Sequence, residues 1–253
     1  MEDFSLWLYL AMFGVAFVAG FVDTIAGGGG LITIPALLGA GIAPHAALAT
    51  NKLQSCFGSG MASWHFIRLG LVDIKAMLAA IFWVFVSAGC GAFAVLLLSA
   101  GILEFLIPIL LSFILIYTIF SKKLGENERV ARLSPFVFYF IFGGIFGFYD
   151  GFFGPGTGSF WTFALICLLG MNMKSAVAHT KVLNFASNIF SLFVFIYGGE
   201  ILWILGLVMG VGQLLGARVG AGFVIKKEIN FIRKIFLFVV FGNICKLIYD
   251  ILA

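Results

Sequence analysis

Four ionisable side chains stand inside otherwise apolar runs of this chain, and they come as two matched pairs: Asp23 with Asp150, and Lys52 with Lys181. A charge in hydrocarbon costs roughly 3 kcal/mol on insertion scales, so charges placed there default to functional candidates. Ser55 and Ser59 follow Lys52 at i+3 and i+7, and Asn184 and Asn188 follow Lys181 at the same spacing. Asn51 and Thr180 flank the two lysines. On a helix these positions share one face, so each half of the chain carries a polar stripe headed by a lysine. Interhelical hydrogen-bond glue accounts for the Ser and Asn residues. It accounts poorly for two register-matched lysines, and positive charge at the head of each stripe suits contact with an anion or the lining of a pore. One alternative stays open: each lysine neutralises its nearby aspartate, Lys52 with Asp23 in the first half.

Glycine supplies the second element of the pattern. The run Gly27–Gly30 precedes Leu31, and the stretch Gly154–Gly158 precedes Ser159. A helix opening at such a break presents unpaired N–H groups and the positive end of its dipole, which suits an anion. Gly28, Gly29, Gly30, Gly156, Thr157 and Gly158 are the candidate backbone donors, because residues without a side chain let a ligand approach and permit positive φ. Plain close packing of helices is the competing explanation. Asp23 lies four residues before the first run and Asp150 takes the same place in the second half. Each carboxylate can cap the break by accepting its N–H groups, or carry a coupling proton or sodium ion. His179, beside Lys181, joins them as a coupling or structural candidate. His45 and His65 read as loop and interface residues, and Arg218 as a side chain reaching from a helix end toward the membrane surface.

These residues need elements that cross a membrane. The chain has 253 residues, 62% hydrophobic and 10% charged, where soluble domains carry about a quarter charged residues. A globular surface cannot absorb that much apolar area, whereas a bilayer can. The apolar runs are continuous rather than alternating, which selects helices over a barrel. The sequence predicts an all-α polytopic membrane protein with ten apolar segments, near 5–26, 31–40, 45–67, 76–99, 103–120, 135–153, 159–169, 175–197, 201–225 and 231–251. A full span takes roughly 20 residues. Eight segments qualify, and the two behind the glycine breaks are about half a span. Short, Gly-interrupted segments at corresponding places in two halves point to a transporter binding site.

The halves align as two homologous helical repeats, 1–120 and 135–253, joined by a charged connector at 121–134. The register from Lys52 to Gly70 equals that from Lys181 to Gly199. Basic residues cluster at Arg68 and Lys75, at Lys122, Lys123, Arg129 and Arg132, and at Lys226, Lys227, Arg233 and Lys234. The N-terminus and the turns at Glu104 and Glu200 have none. Basic loops stay in the cytoplasm, so the repeats are expected to be inverted, five plus five segments, with the connector inside and both termini outside. Trp7, Trp64, Trp161 and Trp203 read as interfacial anchors. Cys56, Cys90, Cys167 and Cys245 stand alone in apolar runs and read as small buried hydrophobes with no metal spacing.

The segments GFVDTIAGGGGL (20–31), ATNKL (49–53), GFYDGFFGPGTG (147–158) and HTKVLN (179–184) closely resemble the TauE/SafE sulfite exporter family, and within it the YfcA-like bacterial branch. The resemblance runs through essentially the whole chain, both halves in order. It implies a multi-pass transporter of a bacterial inner membrane that moves small sulfur oxyanions or organosulfur anions. The residues and the resemblance together predict a secondary transporter working by alternating access at a midplane site between the repeats. A passive anion channel, or a permease for a carboxylate-type anion, is the alternative. An intramembrane aspartyl protease, suggested by two aspartates and the Pro35-Ala36-Leu37 triplet, lacks the GxGD element and leaves the lysines without a role. The expected partners are a small anion and the lipid bilayer, with the chain a monomer or a homodimer alike. No catalytic residue, cofactor, metal or nucleic acid is expected.

Overall fold

The computed structural model describes residues 4–107, 109–110 and 130–226. Eight helices have both ends within them: α1 (Leu6–Ala26), α2 (Gly30–Gly39), α3 (Pro44–Arg68), α4 (Ile74–Leu96), α5 (Pro135–Phe152), α6 (Thr157–Leu169), α7 (Met173–Gly198) and α8 (Trp203–Lys226); residues 100–107 and 109–110 are helical as well. The expected segment at 231–251, most of that at 103–120 and the basic residues Lys122, Lys123, Arg129, Lys227, Arg233 and Lys234 lie outside the described residues. Five helices, α1, α4, α5, α7 and α8, are long and apolar enough to cross a membrane. Helix α3 is comparably long at 25 residues but carries the polar stripe. The two short segments are α2, of 10 residues, and α6, of 13.

Local chemistry sets the helix ends. Ser5, Asp73, Ser134 and Asn172 each cap a helix by accepting a first-turn N–H, the role for which short polar side chains are preferred. Pro44 and Pro135 sit at N1 or N2 of their helices, where no N–H is needed. Helix α1 stops because Gly27 takes φ 75°, a left-handed conformation that turns the chain.

Packing follows the small residues. Helix α1 lies along α8 and α5 lies along α4, while α3 packs on α8 and α7 packs on α4. Helices α3 and α7 meet between these pairs. On α8, Gly212, Gly216 and Gly220 face the main-chain carbonyls of Phe13, Phe17 and Phe21, so close that a Cβ at Gly216 would sit on the Phe17 oxygen. Gly147 and Gly151 of α5 face Val84 and Ala88 of α4 in the same way. Backbones approach at such small-xxx-small seams because lipid offers no hydrophobic drive to bring helices together.

The molecule turns its apolar surface outward and its polar groups inward. Trp7, Leu10, Phe82, Phe93, Phe136, Phe140 and Ile204 are exposed, whereas Lys52, Lys181, Asn51, Gln54 and Asp150 are buried. That inversion suits a hydrocarbon solvent. Trp161 corrects the interfacial-anchor reading. It is fully buried and packs edge-on against Phe146, because α6 is a half-length helix inside the bundle and its first turns never reach an interface. Trp7, Trp64 and Trp203 are exposed. Cys90 is exposed and Cys56 and Cys167 are half-buried, so none of these three is the fully buried hydrophobe the sequence suggests; Cys245 lies outside the described residues.

Candidate functional site

The two glycine breaks meet at the centre of the described residues. Gly27, which ends α1, lies against the backbone of Gly158 at the start of α6, and a Cβ on either would collide with the other. Gly30 packs on Pro155, and the Ser159 hydroxyl donates to the Ala26 carbonyl at 2.7 Å. The broken stretch of each half thus rests on that of the other. Helices α2 and α6 both begin there, with Gly29 and Gly156 as their N-caps.

Around this junction the ionisable groups pair across the halves. The Lys52 ammonium donates to Asp150 Oδ1 at 2.9 Å, and Lys181 donates to Asp23 Oδ2 at 2.8 Å. The same-half alternative, Lys52 with Asp23, is therefore replaced by crossed pairs that join α3 to α5 and α7 to α1. The reason is geometric. Helices α3 and α7 lie side by side, and each carries its lysine past the midline to the break of the opposite half.

The two pairs differ in support. Lys52 also donates to the Asp150 carbonyl and to Asn188 Oδ1 at 3.3 Å. The other oxygen of Asp150 accepts from the Ser187 hydroxyl. Asn188 in turn donates to Ser59 Oγ at 3.4 Å, and Ser59 to the Ser55 carbonyl at 2.6 Å. Asp23 accepts from Lys181 and from the Gly29 N–H at 3.2 Å, and keeps 17% of its side chain accessible against 5% for Asp150. Asp23 therefore holds the broken backbone as well as serving as a counter-charge, whereas the Asp150 carboxylate is held by the side chains of Lys52 and Ser187.

A polar cavity of about 30 Å³ lies between these groups. Its walls come from Asp23, Lys52, Ser55, Asn51 and Asn184 together with Gly30, Gly156 and Gly158; Asp150, Asn188, Gly27 and Gly154 complete them. Such a volume is on the scale of one or two water molecules. The Asn184 Oδ1 atom is buried and unpaired, and Asn184 faces the cavity.

Some sequence candidates stand elsewhere. Thr180 shares a hydrogen bond with Thr162 at 3.1 Å, behind the cavity wall. Asn51 reaches the wall, but its Oδ1 accepts from Thr33 and Gln54 at 2.7 and 2.9 Å. Thr157 donates to the Gly154 carbonyl at 2.6 Å and fixes the break. Gly28 and Gly29 are outside the wall, and a Cβ at Gly29 would come within 2.7 Å of Asp23 Cβ. Glycine at 29 is thus required by packing on Asp23. His179 is half-buried and bonds its own helix, Nδ1 to the Ser175 carbonyl at 2.8 Å, so it is not brought to the cavity. Ser187, whose hydroxyl donates to Asp150, is a member of this cluster that the sequence reading passed over. It lies three residues after Asn184, at the edge of the stripe, and that adjacency was the available signal.

Comparison with known proteins places this arrangement. Residues 12–247 match the family described as Sulfite exporter TauE/SafE. A Haemophilus influenzae protein named "Probable membrane transporter protein" is 43% identical, over 98% of this chain and 97% of its own length. The "Probable membrane transporter protein YfcA" of Escherichia coli K12 is 47% identical over 94% and 89%, and the "Probable membrane transporter protein ORF9" of a Sinorhizobium species is 41% identical over 99% and 96%. No solved structure matches the chain.

Proposed function

The chain belongs to the sulfite exporter TauE/SafE family of membrane transporters, and on that premise we propose that it carries a small sulfur oxyanion or organosulfonate across a bacterial inner membrane by alternating access. The observation that carries this reading is the pair of crossed ion pairs at the cavity between two broken helices. Lys52 and Lys181 attract the anion, and its oxygens meet the N-terminal turns of α2 and α6 at Gly30, Gly156 and Gly158. Helix N-termini of discontinuous helices serve anionic groups in this way. Asn184, Ser55 and Asn51 add polar contacts.

The two repeats, 1–120 and 135–253, rock against each other about the junction of Gly27 with Gly158, in the inverted arrangement that the basic loops suggest. Reciprocal packing supports this: α1 rests on α8 as α5 rests on α4, and each lysine is held by the opposite half. Among the described residues, a cavity of only about 30 Å³ fits an occluded site better than an open passage.

A thermal-unfolding series on purified protein tests the reading. Sulfite, thiosulfate and methanesulfonate should each raise the unfolding temperature in a saturable manner. Stabilisation by acetate and malonate alone would assign the site to a carboxylate permease instead.

A further inference from the structure

The cavity that would bind an anion is electrically neutral as it stands, since two ammonium groups face two carboxylates at bonding distance. A monoanion entering it would leave an uncompensated negative charge in a buried site, which is costly. A cation must therefore enter with the anion, and one carboxylate must give up its lysine.

The two carboxylates are not equivalent. Asp150 has both oxygens engaged, by Lys52 and by the Ser187 hydroxyl, and its carbonyl holds Lys52 as well. Six residues after the lysine, the first half has Gly58 where the second has Ser187. The space at Gly58 is taken by the Gln213 side chain, whose Cγ lies 2.6 Å from where a Cβ would be. Asp23 thus has no hydroxyl donor corresponding to Ser187. Among the described residues its carboxylate has Lys181 and one backbone N–H, and it is the more accessible of the two.

Its surroundings also select the cation. Both groups bonded to the Asp23 carboxylate are N–H donors. A metal cation such as sodium needs several oxygens, and among the described residues the wall offers one that is buried and unpaired, Asn184 Oδ1, whereas a proton needs only the carboxylate itself. Of the titratable side chains around Asp23, Lys52 and Asp150 line the cavity with it, while Lys181 is outside the lining and reaches it through its bond to the Asp23 carboxylate. His179 is bonded to the Ser175 carbonyl, Lys174 to the Ile225 carbonyl, and Arg218 is exposed. Cys56 lies one turn beyond Lys52 on α3, with His45, His65 and Arg68 toward its ends; Cys167 is near the far end of α6, and Lys226 closes α8. Helix α2 has no titratable side chain.

Resting on the anion-transporter reading, we propose that Asp23 is the proton-coupling residue: a proton taken by its carboxylate releases Lys181 to hold the anion, while the Lys52–Asp150 pair stays closed. One proton and one negative charge then enter together, the site stays neutral, and both leave on the other side. The substrate class that fits is a monoanion, a sulfonate or hydrogensulfite, in preference to a dianion such as sulfate.

Purified protein in liposomes containing a pH-sensitive dye tests this with methanesulfonate, a strong acid's anion that brings no proton of its own at neutral pH. An inward methanesulfonate gradient should acidify the lumen, one proton per anion, with no effect of a potassium-valinomycin potential or of sodium. Sulfate should give far less. Asp23→Asn should lose the acidification and pH-driven accumulation while methanesulfonate counterflow continues at a changed rate. Anion movement that carries charge without protons, sodium dependence in the wild type, or acidification persisting in Asp23→Asn would each overturn the inference while leaving a transporter. The wild-type stoichiometry decides the matter even if the variant fails to fold. Absence of any methanesulfonate counterflow would overturn the transporter reading and the inference together.

Discussion

Replacing Lys52 by Met keeps most of the side chain's volume and removes its charge. Lys52 and Asp150 have side chains 1% and 5% accessible, so the substitution leaves a carboxylate buried without its counter-charge. Breaking such a pair costs about 3–5 kcal/mol. The Ser187 hydroxyl remains on Asp150, which favours the lower end of that range. At roughly 2–4 °C per kcal/mol for a chain of this length, Lys52→Met should lower the unfolding temperature by roughly 6–20 °C. Adding Asp150→Asn removes the stranded charge and should recover most of the loss. Adding Asp23→Asn to Lys52→Met should recover nothing, because it strands Lys181 as well. Thermal unfolding of the four proteins in one detergent, followed by intrinsic tryptophan fluorescence, measures all of this. Rescue by Asp23→Asn, or a Lys52→Met protein as stable as wild type, would refute the crossed pairing.

Three further outcomes are expected. Lys181→Met should weaken anion binding by about ten- to a hundredfold, the worth of a charge-assisted hydrogen bond of roughly 1.5–3 kcal/mol, with helical content retained by circular dichroism; unchanged affinity would remove Lys181 from the site. Gly27→Ala should unfold at a lower temperature, because its φ of 75° strains any L side chain and its Cβ would meet the Gly158 backbone; a melting curve identical to wild type would contradict the contact between the breaks. Reporter fusions should place Ala253 outside the cytoplasm and Gly125 within it, and a cytoplasmic Ala253 would replace the inverted arrangement by a parallel one.

The helical class and the identity of the charged groups were legible because both depend on local sequence. A lysine in an apolar run announces itself, as Lys52 and Lys181 do, and the lengths of α2 and α6 follow from the glycines that open them. Which carboxylate each lysine meets was not legible. The partners are 98 and 158 positions apart, and spacing within one half favours the nearer aspartate. Gly29 shows a second limit: a glycine kept small by the Asp23 side chain reads the same as one kept open for a ligand. Trp161 shows a third. Its place near the start of a segment resembles an interfacial anchor until the half-length of α6 puts that start inside the bundle. Ser187 was hidden among the small residues that serve as interhelical glue, and only the position of Asp150 across the interface gives its hydroxyl a specific partner.

Counterflow of radiolabelled sulfite in liposomes containing the purified protein tests the central claim most directly. Vesicles loaded with unlabelled sulfite and diluted into a trace of labelled sulfite should accumulate label transiently above its equilibrium level, with a rate that saturates in the external concentration. Alternating access at one site requires that overshoot. Label that only equilibrates, at a rate proportional to concentration without limit, would contradict a carrier and make the protein a channel.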